Sequence, residues 1–334
     1  MKERTAFITG ADGFIGSHLV EALVKQGFRV RALAYYNSFD SRGWLDCLPH
    51  DVLADVEVIM GDVRDGHLVE RLVKDVDLVF HLAALIGIPF SYLAPDLYVQ
   101  TNIQGTLNVL NAVRKWGRAK LIHTSTSEVY GSAQSVPITE SHPLNPQSPY
   151  AASKLAADHL ALSYYASFEI PVTVIRPFNT FGPRQSTRAI IPTLLTQMRQ
   201  STPIVKVGLT TPTRDFTFVT DTASGFLAAA MTDAGCGRVI QLGSNFEVSV
   251  SELITAISEI LGVQPIIESE SARLRPPGSE VHRLWADNTL AKTLLGWKPE
   301  YEGKSGFLRA LKITADWFTE PANASRYRLG SYTV

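Results

Sequence analysis

Two side chains near the middle of the chain have the types and the spacing of an acid–base pair. Tyr150 and Lys154 are four residues apart at the start of a segment with helical periodicity, which would place the phenol and the ammonium on one helix face. A tyrosine with its ordinary pKa of about 10 is a poor base at neutral pH, but a neighbouring positive charge favours the phenolate. We therefore predict that Lys154 enables Tyr150 to take a proton from a hydroxyl group.

The hydroxyl-rich run TSTSE at residues 124–128 strengthens this prediction. It follows the fifth predicted strand, and ligands of open α/β sheets bind at the carboxyl ends of the strands. Thr126 in this run is expected to donate a hydrogen bond to a substrate oxygen and to fix its position. A Tyr-x-x-x-Lys pair alone is common by chance, so its combination with Thr126 is what indicates a catalytic site.

Three glycines with a defined spacing lie between the first predicted strand and the first predicted helix. Gly10 permits a tight turn, Gly13 lets the backbone approach a pyrophosphate, and Gly16 allows the helix to pack closely on the strand. The N–H groups at the start of the helix then face the phosphates. Because alternating strands and helices surround this turn, we predict a dinucleotide site there.

The end of the second predicted strand is unusual for such a site. An acidic residue normally binds the adenosine ribose there, but residues 29–37 contain no carboxylate. This leaves Asn37 or a tyrosine hydroxyl for the ribose, with Arg31 and Arg42 as candidate partners of a 2′-phosphate. NAD is the expected cofactor, and NADP is kept as an alternative. Asp62, after the third strand, can accept a hydrogen bond from the adenine amino group, or it can simply cap its own loop.

The hydrophobic pattern predicts the scaffold that positions these residues. Buried strands are predicted at residues 5–9, 29–35, 56–60, 78–82, 120–125 and 172–176. Helices are predicted between them at residues 14–25, 67–74, 97–116 and 150–168. Strands separated by helices form a parallel sheet, so we predict a doubly wound α/β (Rossmann) domain over residues 1–177. Residues 178–334 would form a smaller substrate lobe, with some segments returning to the first domain.

Composition excludes several classes of protein. The 334 residues carry 31 lysines and arginines against 32 aspartates and glutamates, so no basic field favours nucleic acid or a membrane surface as a partner. The start of the chain has no signal-peptide pattern and no apolar run reaches membrane-spanning length, so we expect a cytoplasmic protein. The two cysteines, Cys47 and Cys236, are far apart, and neither a disulfide scaffold nor a metal site is expected.

The motifs as a set resemble the extended short-chain dehydrogenase/reductase family, in particular its nucleotide-sugar 4,6-dehydratases. The resemblance runs nearly end to end, through TGADGFIGSHL at 9–19, HLAA at 81–84, TSTSEVYG at 124–131, SPYAASK at 148–154 and RPFNTFGPR at 176–184. We expect the cofactor to contact Gly10, Gly13, Phe14, Ile15, Gly16, Asn37, Asp62, Val63, Leu82, Ala83, Ala84, Tyr150, Lys154 and Pro177.

The resemblance implies a catalytic cycle in which Glu128 distinguishes a dehydratase from a C4 epimerase. Tyr150 would take the proton of the C4 hydroxyl while the C4 hydride passes to NAD(P)⁺. Glu128 would then abstract the acidified C5 proton, and water would leave from C6 with a proton from Glu128 itself or through Ser127. Return of the hydride to C6 would give a 4-keto-6-deoxy sugar. The implied catalytic residues are Thr126, Ser127, Glu128, Tyr150 and Lys154.

Other residues leave the exact reaction open. Ser127 stands where similar dTDP-glucose dehydratases carry an Asp, and the Thr-Ser-Glu triplet resembles both GDP-mannose 4,6-dehydratases and UDP-glucuronate decarboxylases. The segment 35–46 most resembles dehydratases of nucleotide-linked N-acetylglucosamine in the legionaminic acid route. We therefore favour dehydration over C4 epimerisation or decarboxylation. A protein that only sensed a dinucleotide would not need Thr126, Tyr150 and Lys154 together.

The nucleotide diphosphate of such a substrate requires cationic and amide donors, which bidentate guanidinium groups supply best. By resemblance these are Asn179, Arg214 and Arg275, with Arg188 as a weaker candidate; a surface salt bridge is the alternative for each arginine. The resemblance also implies a homodimer formed through the helices at 97–116 and 150–168. The sequence does not identify the base or the substituent at C2 of the sugar.

Overall fold

The computed structural model describes residues 4–200 and 202–327. Its strands are β1 (Thr5–Thr9), β2 (Arg29–Tyr35), β3 (Val56–Gly61), β4 (Leu78–His81), β5 (Lys120–Thr124), β6 (Val172–Pro177), β7 (Asn179–Phe181), β8 (Ile204–Val207), β9 (Thr213–Phe218), β10 (Val239–Leu242), β11 (Glu247–Ser249), β12 (Ile266–Ser269) and β13 (Arg283–Leu284).

Its α-helices are α1 (Phe14–Lys25), α2 (His50–Leu53), α3 (Gly66–Val73), α4 (Ile88–Leu93), α5 (Pro95–Tyr98), α6 (Gly105–Trp116), α7 (Pro149–Phe168), α8 (Ile190–Met198), α9 (Val219–Met231), α10 (Val250–Leu261), α11 (Thr289–Leu295), α12 (Gly303–Thr319) and α13 (Pro321–Ala324). One π-helical segment spans Val99–Gln104, and short 3₁₀ turns span Gly43–Cys47, Ser127–Tyr130, Asp233–Gly235, Ser271–Arg273 and Pro277–Ser279.

A seven-stranded parallel sheet is the centre of the fold. Its strand order is β10-β6-β5-β4-β1-β2-β3, so the direction of winding reverses between β1 and β4. Helices cover both faces, which is why every residue of β4 and β6 is buried. This order confirms the predicted doubly wound α/β architecture, in which ligands bind outside the carboxyl ends of the strands at the reversal point.

The helix predicted over residues 97–116 is interrupted. It consists of α5, the π-helical segment Val99–Gln104 and α6, in direct succession. Within the π segment, the Asn102 side chain pairs with both backbone groups of Leu85, accepting from its N–H at 2.8 Å and donating to its C=O at 3.0 Å. Asn102 makes this contact with Leu85 from a wider helical turn, which the hydrophobic periodicity of the sequence did not predict.

Segments after residue 177 contribute both to the seven-stranded sheet and to a smaller second sheet. β10 extends the first sheet beside β6, and α9 lies against α1. β7, β9, β11 and β13 form a smaller sheet, and β8 pairs with β12. A cluster of phenylalanine rings, Phe181, Phe216, Phe218 and Phe307, forms the centre of the second hydrophobic core. In the described ranges, no helix has both the length and the hydropathy that a membrane span needs.

The glycine-rich turn is packed against its neighbours as the spacing predicted. Gly10 has a φ of +68°, and a Cβ there would lie 2.8 Å from the Ala83 nitrogen. A Cβ on Gly16 would lie 2.1 Å from the carbonyl oxygen of Gly10. Since both close atoms belong to the backbone, they have little freedom to move away, and α1 can approach β1 only with glycine at residue 16.

We predict that Gly16→Ala lowers the free energy of unfolding by about 2 kcal/mol, because the added methyl group forces α1 away from β1. Chemical denaturation measures this loss. Gly278→Ala is the control. Among the described residues, no atom lies within 4 Å of a Cβ at residue 278, so this variant should change the free energy of unfolding by less than about 0.5 kcal/mol. Equal stability of the two variants would contradict the packing argument.

Candidate active site

Helix α7 presents the predicted acid–base pair. Ser148 caps its N-terminus by accepting a hydrogen bond from the Ala151 N–H at 3.1 Å, and Pro149 occupies the first helical position. Tyr150 and Lys154 therefore begin the helix on one face, and both are nearly fully buried, with 8% and 3% of their surface exposed. The structure places them beside the carboxyl end of β5.

The segment after β5 brings Thr126 and Glu128 to the same place. Thr126 caps the 3₁₀ turn Ser127–Tyr130 by accepting a hydrogen bond from the Glu128 N–H at 3.2 Å. Its hydroxyl is also near enough to the phenol of Tyr150 to lower the pKa of that phenol, against the effect of burial. Ser127 is buried, and Glu128 is partly exposed. The structure thus groups four of the five predicted catalytic side chains around β5 and the start of α7, with Lys154 one turn further along.

Burial decides the protonation of this pair in the protein alone. It raises the pKa of Tyr150 well above the ordinary value, Thr126 opposes that shift, and the charge of Glu128 adds to it. In the protein alone, burial thus favours the neutral phenol, and our expectation that Lys154 favours the phenolate stays a prediction. Burial also lowers the pKa of Lys154 to about 8, and Asp158 opposes this shift.

A buried ionic cluster lies behind the acid–base pair. Asp158, four residues after Lys154 on the same face of α7, is 1% exposed. Its Oδ2 accepts hydrogen bonds from the Ser125 hydroxyl at 2.6 Å and from Arg176 Nη2 at 3.0 Å. Its Oδ1 lies 3.3 Å from Nε2 of His123. Burial tends to raise the pKa of Asp158, but His123, Arg176 and Ser125 together hold it below the usual range.

This cluster joins three segments that carry predicted site residues. Asp158 belongs to α7, Ser125 directly precedes Thr126, and Arg176 directly precedes Pro177. Asp158 was not among the residues predicted for the site. Its spacing of four residues from Lys154 was the available signal, because such a spacing puts both side chains on one face of a helix.

Asn102 is a second residue that the sequence analysis missed. Besides its two bonds to Leu85, its Nδ2 donates to the Ser153 hydroxyl at 2.9 Å. It therefore links the segment after β4 to the residue next to Lys154. No local pattern indicates this role, because the partners of Asn102 are distant in the sequence.

The glycine-rich turn has the features that a dinucleotide needs. Among the described residues, no side chain caps the N-terminus of α1, and its first turn contains no acid. Its first N–H groups, those of Phe14, Ile15 and Gly16, are therefore suited to bind an anion. The residues after β4 lie alongside, because Thr9 Oγ1 accepts from the N–H groups of Leu82 at 3.2 Å and Ala83 at 3.1 Å.

The other predicted cofactor contacts lie around the same edge of the sheet. Ala84 follows Ala83, Val63 and Pro177 are buried at the ends of β3 and β6, and Asp62 is ion-paired with Arg64 at 2.5 Å. The side chains of Asn37 and Arg42 are engaged elsewhere, as described below. Arg31 is wrong as a partner of a 2′-phosphate, because it lies within β2 and binds Glu57 and the carbonyl of Leu72.

The predicted substrate arginines converge on Glu128. Arg275 Nη1 lies 3.8 Å from Glu128 Oε2, and Arg214 Nη2 lies 3.8 Å from Glu280 Oε1. Arg214 is 8% exposed, and burial lowers its pKa, against the opposing charge of Glu128. Two guanidinium groups thus share a small, largely desolvated region at the Glu128 carboxylate, an arrangement suited to a polyanion.

Two buried polar atoms in this region lack hydrogen-bond partners within the described part of the chain. They are Oδ1 of Asn179 and Nη1 of Arg275, and partnerless buried polar atoms are rare unless a ligand binds them. Asn179 begins β7, two residues after Pro177. Arg188 is exposed, but its charge opposes the burial that raises the pKa of Tyr98, whose ring centroid lies 6.3 Å from that of Tyr150. Arg188 therefore lies at the rim.

No three His, Cys, Asp or Glu side chains of residues 4–200 and 202–327 are grouped so that they could hold a metal ion.

Comparison with known proteins identifies relatives along nearly the whole chain. The family model described as GDP-mannose 4,6 dehydratase matches residues 7–309. A UDP-glucose 4-epimerase from Mycolicibacterium smegmatis is 32% identical, with 92% of this chain and 97% of the relative covered. A dTDP-glucose 4,6-dehydratase from Xanthomonas campestris pv. campestris is 30% identical, with 94% and 93% covered.

Solved structures of both kinds of enzyme share the fold. A mutant UDP-glucuronic acid 4-epimerase from Bacillus cereus, in complex with UDP-4-deoxy-4-fluoro-glucuronic acid and NAD, superposes with a TM-score of 0.85 at 31% identity, covering 95% of this chain and 99% of that one. A dTDP-glucose 4,6-dehydratase from Streptomyces venezuelae with NAD bound gives a TM-score of 0.85 at 27% identity, covering 96% and 98%.

We predict that Asp158→Asn lowers the free energy of unfolding by about 3 kcal/mol or more, because it leaves buried Arg176 without its counter-charge. Chemical denaturation gives the value. Asp316→Asn is the matched control: it breaks an ion pair with Lys312 whose two side chains are 58% and 60% exposed, and should cost less than about 1 kcal/mol. Similar losses in both variants would contradict the importance of the buried cluster.

Proposed function

The chain belongs to the GDP-mannose 4,6-dehydratase family, and on that premise we propose that it is an NAD-dependent enzyme that removes water from a nucleotide-diphosphate hexose. The product is the 4-keto-6-deoxy sugar. The observation that carries this proposal is the carboxylate of Glu128 beside Thr126 and Tyr150, since dehydration requires a base that C4 epimerisation does not. The resemblance of residues 35–46 supports N-acetylglucosamine as the sugar.

The cofactor binds along the carboxyl edge of β1, β2, β3 and β4. The N-terminus of α1, with Gly10 and Gly13 before it, holds the pyrophosphate, and Leu82, Ala83 and Ala84 line the adjoining edge. NAD bound there would supply the acceptor for the C4 hydride of the sugar and the donor of the hydride that C6 receives. NAD-bound relatives support this assignment.

Tyr150 takes the proton of the C4 hydroxyl as that carbon is oxidised. Because burial in the free protein keeps the phenol protonated, the deprotonated form depends on positive charge that is added when the ligands bind. Lys154 contributes to that charge while protonated, and Thr126 orients the C4 oxygen through its hydroxyl. Tyr150 thus transfers the proton, Lys154 supplies positive charge and Thr126 positions the C4 oxygen.

Glu128 carries out the elimination. It removes the proton from C5, and the C6–O bond breaks as the electrons of the C5–H bond form the C5–C6 double bond. The leaving oxygen takes a proton from Glu128 or through Ser127 and departs as water. When the hydride returns to C6, C5 takes up a proton, which balances the proton that Tyr150 removed from the C4 hydroxyl. Ser127 is buried directly beside Glu128 in the chain, so it is placed to relay that proton but cannot supply a carboxylic acid of its own.

The diphosphate binds the arginine pair and changes the partner of Arg275. Arg214, Arg275 and Asn179 supply charged and amide donors, with Arg188 at the rim. In the free protein Arg275 is 3.8 Å from Glu128. The diphosphate as a whole carries more negative charge than a single carboxylate, so a bound diphosphate competes for this guanidinium and leaves Glu128 available to the sugar.

A C4 epimerase is the second candidate, because the relatives include epimerases of 31% and 32% identity. It would use Thr126, Tyr150 and Lys154 in the same way and leave Glu128 as a counter-ion of Arg275. For the assembly we propose a homodimer formed through α6 and α7, consistent with the exposed aromatic rings of Tyr165 and Phe168 on α7.

We predict that Glu128→Gln slows dehydration at least about a hundredfold, because the variant lacks the base for C5. Product mass, followed with a panel of nucleotide-linked N-acetylglucosamines, measures the loss of water. Oxidation at C4 should persist and accumulate reduced cofactor, seen by its absorbance. Glu280→Gln removes a carboxylate from the same arginine cluster and should retain dehydration at saturating substrate. Full dehydration by Glu128→Gln would refute the assignment, and an inverted C4 with unchanged mass would identify an epimerase.

The pKa of Lys154, lowered to about 8, predicts an alkaline limit to activity. As pH rises through about 8, the lysine loses the positive charge that favours the Tyr150 phenolate, so kcat/KM should fall. Lys154→Arg keeps its charge at all these pH values and should be slower but without this alkaline limb. Circular dichroism at each pH checks that the fold persists. A wild-type profile that stays flat above pH 8 would contradict the prediction.

A further inference from the structure

The carboxyl end of β2 lacks the acidic residue that is usual in a dinucleotide site. Dinucleotide sites of this fold use an acidic residue there to bind the hydroxyl groups of the adenosine ribose. Residues 29–37 contain none. Either the chain binds the ribose without a carboxylate, or a carboxylate reaches this position from another segment.

Asp12 reaches it from the glycine-rich turn. Its Oδ2 accepts a hydrogen bond at 3.1 Å from the N–H of Tyr35, the last residue of β2. Asp12 also directly precedes Gly13, the N-cap of α1. In the folded chain, its carboxylate therefore lies between the N-terminus of α1, which is suited to the pyrophosphate, and the end of β2, which is suited to the ribose.

The position of Asp12 is fixed from the other side as well. Its carbonyl oxygen accepts a hydrogen bond from the Trp44 N–H at 3.0 Å. Gly43, with a φ of +59°, lies so close that a Cβ there would be 2.6 Å from the same oxygen. Burial raises the pKa of the Asp12 carboxyl, while the N–H of Tyr35 favours its carboxylate form. The turn therefore holds this side chain in place without any ligand.

Asn37, the other candidate for the ribose, already has all the hydrogen-bonding groups of its side chain occupied. The Asn37 side chain donates to the carbonyl groups of Tyr35 and Ser41 and accepts from the N–H groups of Phe39 and Ser41. An amide side chain has two donor hydrogens and two acceptor lone pairs, so these four bonds leave none for a ribose hydroxyl. Our expectation that Asn37 contacts the ribose does not fit this loop.

The cations near this edge are held by acids. Arg64 is bound through Nε and Nη2 to Asp62, and Arg42 Nε lies 2.8 Å from Asp46. A 2′-phosphate would have to displace one of these carboxylates to gain a partner. It would also approach Asp12, whose charge has the same sign.

We infer that Asp12 selects NAD over NADP, by accepting a hydrogen bond from the ribose 2′-hydroxyl and repelling a 2′-phosphate. The inference rests on the proposed NAD-dependent function and adds the residue that discriminates between the two dinucleotides. A hydroxyl can donate to the carboxylate, whereas a phosphate near neutral pH offers mainly acceptor oxygens and negative charge.

Calorimetric titration of the purified full chain with NAD and with NADP, in the absence of sugar, tests this inference. The wild-type protein should bind NAD at least about ten times more tightly than NADP. Asp12→Asn should reduce the ratio of the two dissociation constants by roughly tenfold to a hundredfold, as expected from removing one charge near the phosphate. Asparagine keeps the oxygen that accepts from Tyr35, so the turn should fold normally.

Asp40→Asn is the matched control. It removes the same charge from the exposed loop after β2, where the positive φ of Asp40 suits asparagine, and should leave the ratio unchanged. An unchanged ratio in Asp12→Asn, or equal wild-type affinity for both dinucleotides, would overturn the inference. Because no sugar is present, this outcome is separate from failure of the proposed reaction, which would show as normal NAD selection without turnover.

Discussion

Asp158 occupies a position where an unpaired carboxylate would be strongly unfavourable, and the hydrogen bonds that satisfy it hold the site together. One of its oxygens binds Ser125 and Arg176, and the other faces His123. The three bonded elements each carry a residue to the carboxyl edge of the sheet: α7 carries Tyr150, the segment after β5 carries Thr126, and the end of β6 leads to Asn179. Their relative positions therefore follow from satisfying one buried charge.

The same burial sets the chemistry in front of this cluster. Desolvation raises the pKa of Tyr150 and lowers that of Lys154, so the protein alone stabilises the neutral form of both. We propose that the pair becomes an effective base only when ligands bring further charge and exclude water. This dependence on ligands suits an enzyme that removes a proton only when a hydride acceptor is present. A phenolate formed before the acceptor binds would not speed the reaction.

Charge is likewise distributed to suit polyanionic ligands. On the proposed substrate side, Arg214 and Arg275 lie beside Glu280 and Glu128 in a largely desolvated region, an arrangement suited to a diphosphate. On the proposed cofactor side, no described side chain caps the N–H groups of α1, while Asp12 places a negative charge next to them. On this proposal, the site binds phosphates at chosen positions and disfavours them at others.

The sequence by itself determined the features that depend on local spacing. The glycines at 10, 13 and 16, the pair Tyr150 and Lys154, and the alternation of strands and helices follow from backbone sterics and from the periods of helix and strand, so the sheet and its ligand-binding edge were predictable. Only the tertiary structure decided which groups meet across the chain. The contact of Asn102 with Leu85, that of Ser125 with Asp158 and that of Asp12 with Tyr35 join residues 17, 33 and 23 positions apart. Such contacts form because buried polar groups must find partners, and no local pattern specifies which ones they find.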